Sequence, residues 1–523
     1  MINQSIDFLK TLREKQILLL LVGITFALRL YAVLMAQGIA YDSAEYGFVA
    51  RDFLKGHFIK GLTSAAPPLY PFLISLFSFD TAHVEITGRL LSLFFGTLTI
   101  IPLFYLVKEA IGKKEAVFSA LLYTFHPYLV TYSGMLLTEA TYWGLLTLSV
   151  YFFWTGLKRG TAWRTALSGS FLGLAYLTRP EGIGYVLIYM IWIVVDEGLR
   201  KGWPKKLVHF AVLALTVSIF VVPYVIYIHQ ETGRWLITKK AVGVQSQLVN
   251  LVEEGNGRPL ETSTERIKAA EAPTTLQKEP SVLDIVKKVA RYIPFTTYHY
   301  LRAFHFSLWL FLLFGLMRVR QKVLAYELFL ASFVLFHLVS LSTITSSTIR
   351  FSIPLVPLSL FWAGAGILEV KGYLGRIKIS NPERGILLLI ILVILIQLPQ
   401  GLTPERRRRA EQKKVGLWLK ENIPPGAVIM SNSPQEAFYA DREFVMTPLG
   451  IPLGGNAGKS YDETIREAKE KGVGYILINK NTHEINPGLV ESVQSKDLKN
   501  IYKREDYGVM IYEVVYRNVG GVP

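Results

Sequence analysis

Eleven long apolar segments constrain the fold of this chain more than any other feature. A membrane-spanning helix needs about 20 mostly apolar residues, and most of the segments reach or approach that length, whereas Ala166–Leu177 and Ile183–Val195 are short. The chain is 51% hydrophobic and only 18% charged, with a mean hydropathy of +0.34. These values predict an α-helical polytopic membrane protein rather than a soluble enzyme. The eleven segments are Gln16–Met35, Thr87–Val107, Ala116–Tyr132, Ala140–Leu157, Ala166–Leu177, Ile183–Val195, Leu207–Ile228, Leu301–Met317, Val323–Ser342, Ile353–Leu368 and Gly385–Leu398.

The distribution of Lys and Arg between these segments predicts how the chain is oriented. Alternate loops are rich in Lys and Arg, at 108–114, 158–164, 200–206, 318–322 and 371–384. The short loops on the other side carry only single cations such as Arg179 and Arg350. Basic loops stay in the cytoplasm, so we expect a multi-pass protein of the cell (plasma) membrane with a cytoplasmic N-terminus. The net charge of +16 then reflects this pattern and not nucleic-acid binding.

The composition changes sharply near residue 401, which predicts a domain boundary. Residues 1–401 form the predicted transmembrane domain, with outer loops at 37–86 and 229–300. Residues 402–523 are predicted to form an extracytoplasmic soluble α/β domain. Its elements are two strands and a helix, at Ala427–Ser431, Gly474–Asn479 and Tyr461–Lys471.

The first outer loop holds the most informative polar residues. Apolar residues recur there at helical spacing, at Tyr46, Val49, Ala50 and Phe53. This spacing predicts an amphipathic helix on the membrane surface. Asp42 lies at or just before the start of this helix, where an N-cap role and a functional role are about equally compatible with its position.

Several short motifs follow one another along residues 16–400. They are Asp42-x-x-x-Tyr46-x-x-x-Ala50, Gly56, Pro67-Pro68-Leu69-Tyr70, Arg89, His126-Pro127-Tyr128, Thr138-Glu139-Ala140, Leu177-Thr178-Arg179-Pro180-Glu181-Gly182 and Arg350-Phe351-x-x-Pro354-x-x-Pro357. In this order they resemble the C superfamily of membrane glycosyltransferases, in particular the protein O-mannosyltransferase and aminoarabinose transferase groups, glycosyltransferase families 39 and 83.

This resemblance implies a fold and an activity. The fold would be the C-type glycosyltransferase fold of about eleven transmembrane helices. The activity would be inverting transfer of a monosaccharide from a polyprenyl-phosphate donor to a lipid, glycan or protein acceptor on the extracytoplasmic face. By resemblance Asp42 would be the general base, since a placed carboxylate can take the proton of an attacking hydroxyl.

The chain departs from the family pattern at two places in this loop. Ser43 follows Asp42 where relatives often have a second acid, so Glu45 is the next carboxylate. Ala65 and Ala66 precede Pro67, where some relatives carry a Lys that binds the donor phosphate. Other cations must then neutralise the phosphate, and the candidates are Arg350, Arg179, Lys60 and Arg89.

Two more carboxylates are candidates for binding the acceptor or a cation, namely Glu45 and Glu139. Glu139 opens a predicted helix, where an acid is also favourable without any function. Arg89 and Glu85 are four residues apart, which equally fits an ordinary ion pair on one helix face. No cofactor is certain. A divalent cation is possible, although no pair of His residues has a metal-binding spacing, and the absence of Cys excludes thiolate ligands.

A transporter or flippase with an outer domain is the alternative function. Transporters often contain repeated halves and place ionisable residues near the middle of the membrane. This sequence has no visible repeat, and its acidic candidates gather in an outer loop. The sequence therefore favours the glycosyltransferase.

Overall fold

The computed structural model describes most of the chain and divides it into two compact units. Described are residues 13–195, 202–239, 282–317, 323–343, 348–378, 381–403, 407–447, 461–480, 482, 489–490, 493 and 497–516. The membrane unit consists of Met1–Leu34 and Asp52–Thr403, and the C-terminal unit consists of Met35–Arg51 and Pro404–Pro523. The predicted outer loop 229–300 therefore lies partly outside the described residues, at 240–281.

Helices form nearly all of the described membrane unit. They are α1 Glu14–Met35, the end of α2 Tyr41–Leu54, α3 Phe58–Thr63, α4 Leu69–Phe77, α5 Val84–Leu98, α6 Ile100–Ala110, α7 Lys113–Phe125, α8 Pro127–Ser133, α9 Glu139–Arg159, α10 Ala162–Thr178, α11 Tyr185–Val195, α12 Trp203–Thr232, α13 Val282–Phe304, α14 Trp309–Leu316, α15 Leu324–Ser342, α16 Ile349–Ser352, α17 Val356–Arg376 and α18 Pro382–Leu402. Short 3₁₀ turns lie at Pro180–Gly184, Phe306–Leu308 and Ile353–Leu355.

Each of the eleven predicted apolar segments contains helix, which confirms the helical membrane fold. Within the described residues, six helical stretches are long and apolar enough to cross a bilayer. The third predicted segment is divided at Pro127, because proline lacks the N–H that a continuous helix needs. The fifth is a helix of 17 residues, α10. The six stretches are Glu14–Met35, Val84–Ala110, Trp203–Thr232, Leu324–Ser342, Ile349–Arg376 and Pro382–Leu402.

The core of the membrane unit is built around α9, most of whose residues are buried. Aromatic rings stack between neighbouring helices, with the Phe153 and Tyr189 centroids 3.9 Å apart. Arg29 of α1 is fully buried, donates to Ser133 Oγ at 3.2 Å and lies over the Tyr123 ring at 4.7 Å. The cation that interrupts the first apolar segment is thus satisfied inside the protein.

Other helices expose large apolar side chains. Leu19, Leu215 and Leu395 are 72%, 65% and 61% exposed, on α1, α12 and α18. A soluble protein buries most such surface, whereas a bilayer covers it without cost. The exposed apolar faces fit a protein that sits in a membrane.

The C-terminal unit contains a mixed sheet with helices on both faces. Its described elements are the larger part of α2, α19 Arg407–Asn422, β1 Val428–Ser431, α20 Pro434–Ala440, β2 Glu443–Met446, α21 Tyr461–Glu470, β3 Val473–Ile478, β4 Leu498–Arg504 and β5 Val509–Val514. The strand order is β2-β1-β3-β5-β4, with β1 parallel to β2 and β3, and β5 antiparallel to β3 and β4. Ile429 and Met430 belong to different core clusters, as expected when alternate residues face opposite sides of a sheet.

The sequence predicted part of this sheet. The predicted strands Ala427–Ser431 and Gly474–Asn479 correspond to β1 and β3, and the predicted helix corresponds to α21. The prediction did not include β2, β4 and β5. Each of these strands contains charged residues, namely Glu443 in β2, Lys499, Lys503 and Arg504 in β4, and Glu513 in β5.

Two helices of the membrane unit approach each other so closely that only glycine fits between them. A Cβ at Gly366 of α17 would overlap the backbone oxygen of Phe311 in α14. A Cβ at Gly372, six residues further along α17, would meet nothing within 4 Å. Small residues of this kind allow close packing of helices in membranes.

We therefore expect Gly366→Leu to destabilise the protein and Gly372→Leu to leave it stable. The larger side chain at Gly366 must push α14 and α17 apart, at a cost of about 1–3 kcal/mol or more for overpacking. The midpoint of thermal unfolding in detergent measures the effect. Equal midpoints for the two variants would contradict the close approach of α14 and α17.

Candidate active site

A buried carboxylate that is shared by two arginines forms the polar centre of the membrane unit. Glu139 is fully buried, and its Oε1 accepts hydrogen bonds from Arg179 Nη1 at 2.9 Å and from Arg350 Nε. Arg179 also pairs with Glu181, at 3.3 Å. Oε2 of Glu139 is buried and has no hydrogen-bond partner within the described part of the chain. A buried carboxylate oxygen in that state can accept one more donor.

The local sequence explains how each group reaches this centre. Glu139 lies in the first turn of α9, where the helix dipole favours a carboxylate. Arg179 precedes Pro180, which disfavours helical conformation at that position, so α10 ends and Arg179 is extended with φ −148° and ψ 126°. Arg350 lies in the short helix α16, directly before a 3₁₀ turn that contains Pro354.

A hydrogen-bonded chain fixes the backbone beside Arg350. The carbonyl of Phe351 can only accept, so His337 Nε2 carries the proton and donates to it at 2.9 Å. His337 Nδ1 then accepts from the Tyr185 hydroxyl at 2.9 Å. Arg179 lies over the ring of Phe351, 5.5 Å from its centroid. The segment that carries Arg350 is thus held from α11 and α15.

Exposure separates the two arginines of the cluster. The side chain of Arg350 is 24% exposed, whereas that of Arg179 is 9% exposed and that of Glu139 is fully buried. Arg350 is therefore the more accessible of the two arginines. We infer that Arg179 holds the carboxylate that orients Arg350.

The other two predicted phosphate ligands have different partners. Arg89 forms the ion pair with Glu85 that their four-residue spacing on one helix face predicted, at 2.8 Å, and it also donates to the Gly134 carbonyl at 3.1 Å. Lys60 is 62% exposed and lies 3.5 Å from Asp52. Neither contact brings these cations to Glu139.

One buried cation was missed by the sequence analysis. Lys239 is 7% exposed, pairs with Glu231, donates to the Leu62 carbonyl and lies over the Tyr227 ring at 4.7 Å. No motif surrounds it in the sequence, and only tertiary contacts reveal it.

Asp42 and Glu45 lie in the C-terminal unit, on helix α2. The helix begins at Tyr41, so Asp42 occupies its first turn and not the N-cap. The predicted amphipathic helix is present, but Tyr46, Val49 and Ala50 are buried within the protein instead of facing lipid. Burial raises the pKa of the Tyr41 hydroxyl, and the negative charges of Glu45 and Asp42 add to that rise.

A metal site has no obvious ligand set. Among the described residues, no three His, Asp or Glu side chains are grouped so that they could hold an ion. The divalent cation that the sequence left open is therefore assigned no ligands.

Comparison with known proteins identifies the fold. Residues 65–227 match the family Dolichyl-phosphate-mannose-protein mannosyltransferase. The structure superimposes on that of ArnT from Cupriavidus metallidurans with a TM-score of 0.58 and 13% identity, over 95% of this chain and 97% of ArnT. The chain has the fold of a C-superfamily membrane glycosyltransferase.

Two further matches extend the comparison. The oligosaccharyltransferase of Archaeoglobus fulgidus matches with a TM-score of 0.55 and 12% identity, over 98% of this chain and 76% of that protein. Dolichyl-phosphate-mannose–protein mannosyltransferase 1 of Saccharomyces cerevisiae is 24% identical in an alignment of 253 positions that covers 43% of this chain. This chain spans only 30% of the length of the yeast protein.

We expect the charges of the cluster to depend on one another. Glu139→Gln removes the carboxylate that Arg179 and Arg350 share, and breaking a buried ion pair costs about 3–5 kcal/mol. The double variant Glu139→Gln/Arg350→Gln should lose less stability than the sum of the losses in the two single variants, and the difference should be about 0.5–3 kcal/mol. Thermal unfolding of the three variants measures this coupling.

Glu85→Gln is the matched control for that cycle. In that variant Arg89 keeps its hydrogen bond to the Gly134 carbonyl. We therefore expect a smaller loss of stability than for Glu139→Gln. Strictly additive losses in the Glu139 and Arg350 variants would contradict the shared ion pair.

Proposed function

We propose that this protein is an integral membrane glycosyltransferase of the inverting type. It transfers a monosaccharide from a polyprenyl-phosphate-linked donor to the hydroxyl of a lipid, glycan or protein acceptor, on the extracytoplasmic face. The observation that carries this proposal is the Glu139–Arg179–Arg350 cluster in a chain with this fold. The relatives support the class of donor, because ArnT has been crystallised with undecaprenyl phosphate and the Archaeoglobus enzyme has been solved with a dolichol-phosphate.

Arg350 is proposed to bind the donor phosphate. When the sugar leaves, the lipid phosphate gains negative charge, and a guanidinium stabilises that charge in a geometry that matches phosphate oxygens. Arg350 is the more exposed arginine of the cluster, which suits it to a ligand that enters from the bilayer. Arg179 is proposed to support Arg350 through Glu139, the carboxylate that the two arginines share.

Asp42 is proposed as the general base. Sugar transfer with inversion needs a group that takes the proton of the acceptor hydroxyl while that oxygen attacks the anomeric carbon. Asp42 lies in the first turn of α2, where the helix dipole favours a carboxylate. Glu45, one turn later on the same helix, is proposed to orient the acceptor.

We expect Asp42→Asn to abolish most turnover, with a loss of about 100-fold or more in kcat, because the amide cannot accept the proton. Purified protein is incubated with a panel of polyprenyl-phosphate monosaccharides, beginning with dolichyl-phosphate mannose, and released polyprenyl phosphate is measured. Asp52→Asn, on the same helix, is the control and should keep near-normal turnover. Near-normal turnover of a folded Asp42→Asn protein would contradict the assignment of Asp42 as the general base.

Arg350→Lys and Arg350→Gln test the phosphate site. Undecaprenyl phosphate should raise the unfolding temperature of the unmodified protein, since a ligand that binds the folded state stabilises it. Arg350→Gln should lose this rise, and Arg350→Lys should keep part of it, because lysine keeps the charge but not the planar fork. An undiminished rise in Arg350→Gln would place the phosphate elsewhere.

The proposed orientation can be tested directly because the sequence contains no Cys. Single cysteines are placed at Lys113 in a basic loop and at Lys499 in the C-terminal unit, and whole cells are treated with a membrane-impermeant maleimide. Lys499→Cys should be labelled and Lys113→Cys should be protected until the cells are opened. The reverse pattern would contradict an extracytoplasmic C-terminal domain.

A further inference from the structure

The helix that carries Asp42 is held by the C-terminal domain. Residues Met35–Arg51 are contiguous in sequence with the membrane unit on both sides, yet they cluster with Pro404–Pro523. The chain thus sends the segment with the proposed general base into a unit that is otherwise formed only by residues more than 350 positions later. Named contacts explain this grouping.

Arg51 makes three of these contacts. Its Nη1 donates to the carbonyl of Phe438 at 2.8 Å and lies 3.2 Å from Asp441 Oδ1. Its guanidinium also lies over the Phe438 ring, 3.9 Å from the centroid. The Arg51 side chain is 11% exposed and that of Asp441 is 40% exposed. The guanidinium is therefore largely buried, whereas the carboxylate of the ion pair remains open to water and to screening by salt.

The end of α20 is shaped to receive this arginine. Asp441 N–H donates to the Phe438 carbonyl and Arg442 N–H donates to the Ala437 carbonyl, which is the Schellman pattern that ends a helix. Asp441 has a φ of +54°, a conformation that Asp tolerates better than most residues. The last turn of a helix attracts cations, and Arg51 supplies one.

Packing adds to the polar contacts. The Phe48 ring lies 5.8 Å from that of Phe438 and 6.4 Å from that of Phe444, centroid to centroid. A Cβ at Gly47 would overlap the Phe438 ring. Glycine inside a helix costs about 1 kcal/mol relative to alanine, and here its position is explained by the ring that lies against it.

The held face of α2 is opposite to the face that carries Asp42. Arg51 is nine residues from Asp42, which is about two and a half turns of an α-helix. Gly47 and Phe48 lie on the Arg51 side, whereas Val49 follows Asp42 by seven residues and shares its face. The contacts of Arg51, Gly47 and Phe48 with the C-terminal domain therefore lie on one side of the helix, and Asp42 lies on the other side.

We propose that Arg51, Gly47 and Phe438 are positioning residues that let the C-terminal domain fix the orientation of Asp42 for proton transfer. This inference rests on the proposed function, in which Asp42 is the general base. Displacing a catalytic group by about 1 Å can lower the rate about 100-fold. Removing the contacts that hold α2 should therefore lower kcat without weakening donor binding.

The experiment is a kinetic double-mutant cycle on the full-length protein. Arg51→Ala and Phe438→Leu are each made in the unmodified protein and in the Asp42→Asn protein, and released polyprenyl phosphate is measured with the donor that the unmodified protein turns over fastest. We expect a kcat loss of about 10- to 100-fold when Asp42 is present, with donor KM changed less than twofold. In the Asp42→Asn protein the same changes should have little further effect, because the base they position is already gone.

Two further variants separate positioning from folding. Arg51→Lys keeps the charge beside Asp441 and should restore part of kcat, whereas Lys499→Ala removes an exposed cation of the same unit, 3.9 Å from Glu513, and should change nothing. An equal loss with and without the Asp42→Asn change would assign Arg51 and Phe438 a structural role only and overturn the proposal. An active Asp42→Asn protein would refute the assignment of Asp42 as the general base. The cycle distinguishes that result from one in which Asp42 is the base but Arg51 and Phe438 do not position it.

Discussion

The membrane unit depends on one carboxylate that neutralises two arginines away from water. Glu139 is fully buried, and without Arg179 and Arg350 its ionised form would be very costly to place there. The same carboxylate draws together parts of the chain that are 40 and 211 residues from it. The start of α9, the turn after α10 and the helix before α17 are thereby fixed at one point. Their apolar helices then pack around that point.

This arrangement gives each charge a distinct task. Arg179 is almost wholly buried and pairs with Glu139, while Arg350 remains partly exposed, which suits the contact with a phosphate that we propose for it. The Tyr185–His337–Phe351 chain supports the same segment from behind. Catalytic electrostatics depend on charges that are already in place before the reaction begins, and a cluster with so many fixed partners meets that requirement. The proposed base is organised separately, on a helix of the C-terminal unit.

The sequence named the residues of the candidate site but could not show which of them lie together. Glu139, Arg179 and Arg350 were all among the candidates, because each lies in a motif at the end of an apolar segment. Arg89 also lies in a matching motif, and Lys60 lies in the first outer loop. The structure pairs them with Glu85 and Asp52, and their role in phosphate binding stays a prediction. Lys239 and His337 had no motif at all, since their roles come from neighbours far away in the chain. The predicted membrane-surface helix was found as a helix, but periodicity cannot tell whether an apolar face meets lipid or protein.

By itself, the sequence determined the helical membrane fold, the place of each apolar segment and the α/β character of the tail. These properties follow from local composition and period, because a bilayer admits only backbone that satisfies its own hydrogen bonds. Tertiary structure alone decided which charges pair between distant segments, and that Met35–Arg51 belongs with the tail. Ion pairs and ring contacts join residues hundreds of positions apart, such as Arg51 with Asp441, and nothing in the local sequence specifies such a partner. The fold could therefore be predicted from the sequence, whereas the contacts that hold the helix of Asp42 could be identified only in the tertiary structure.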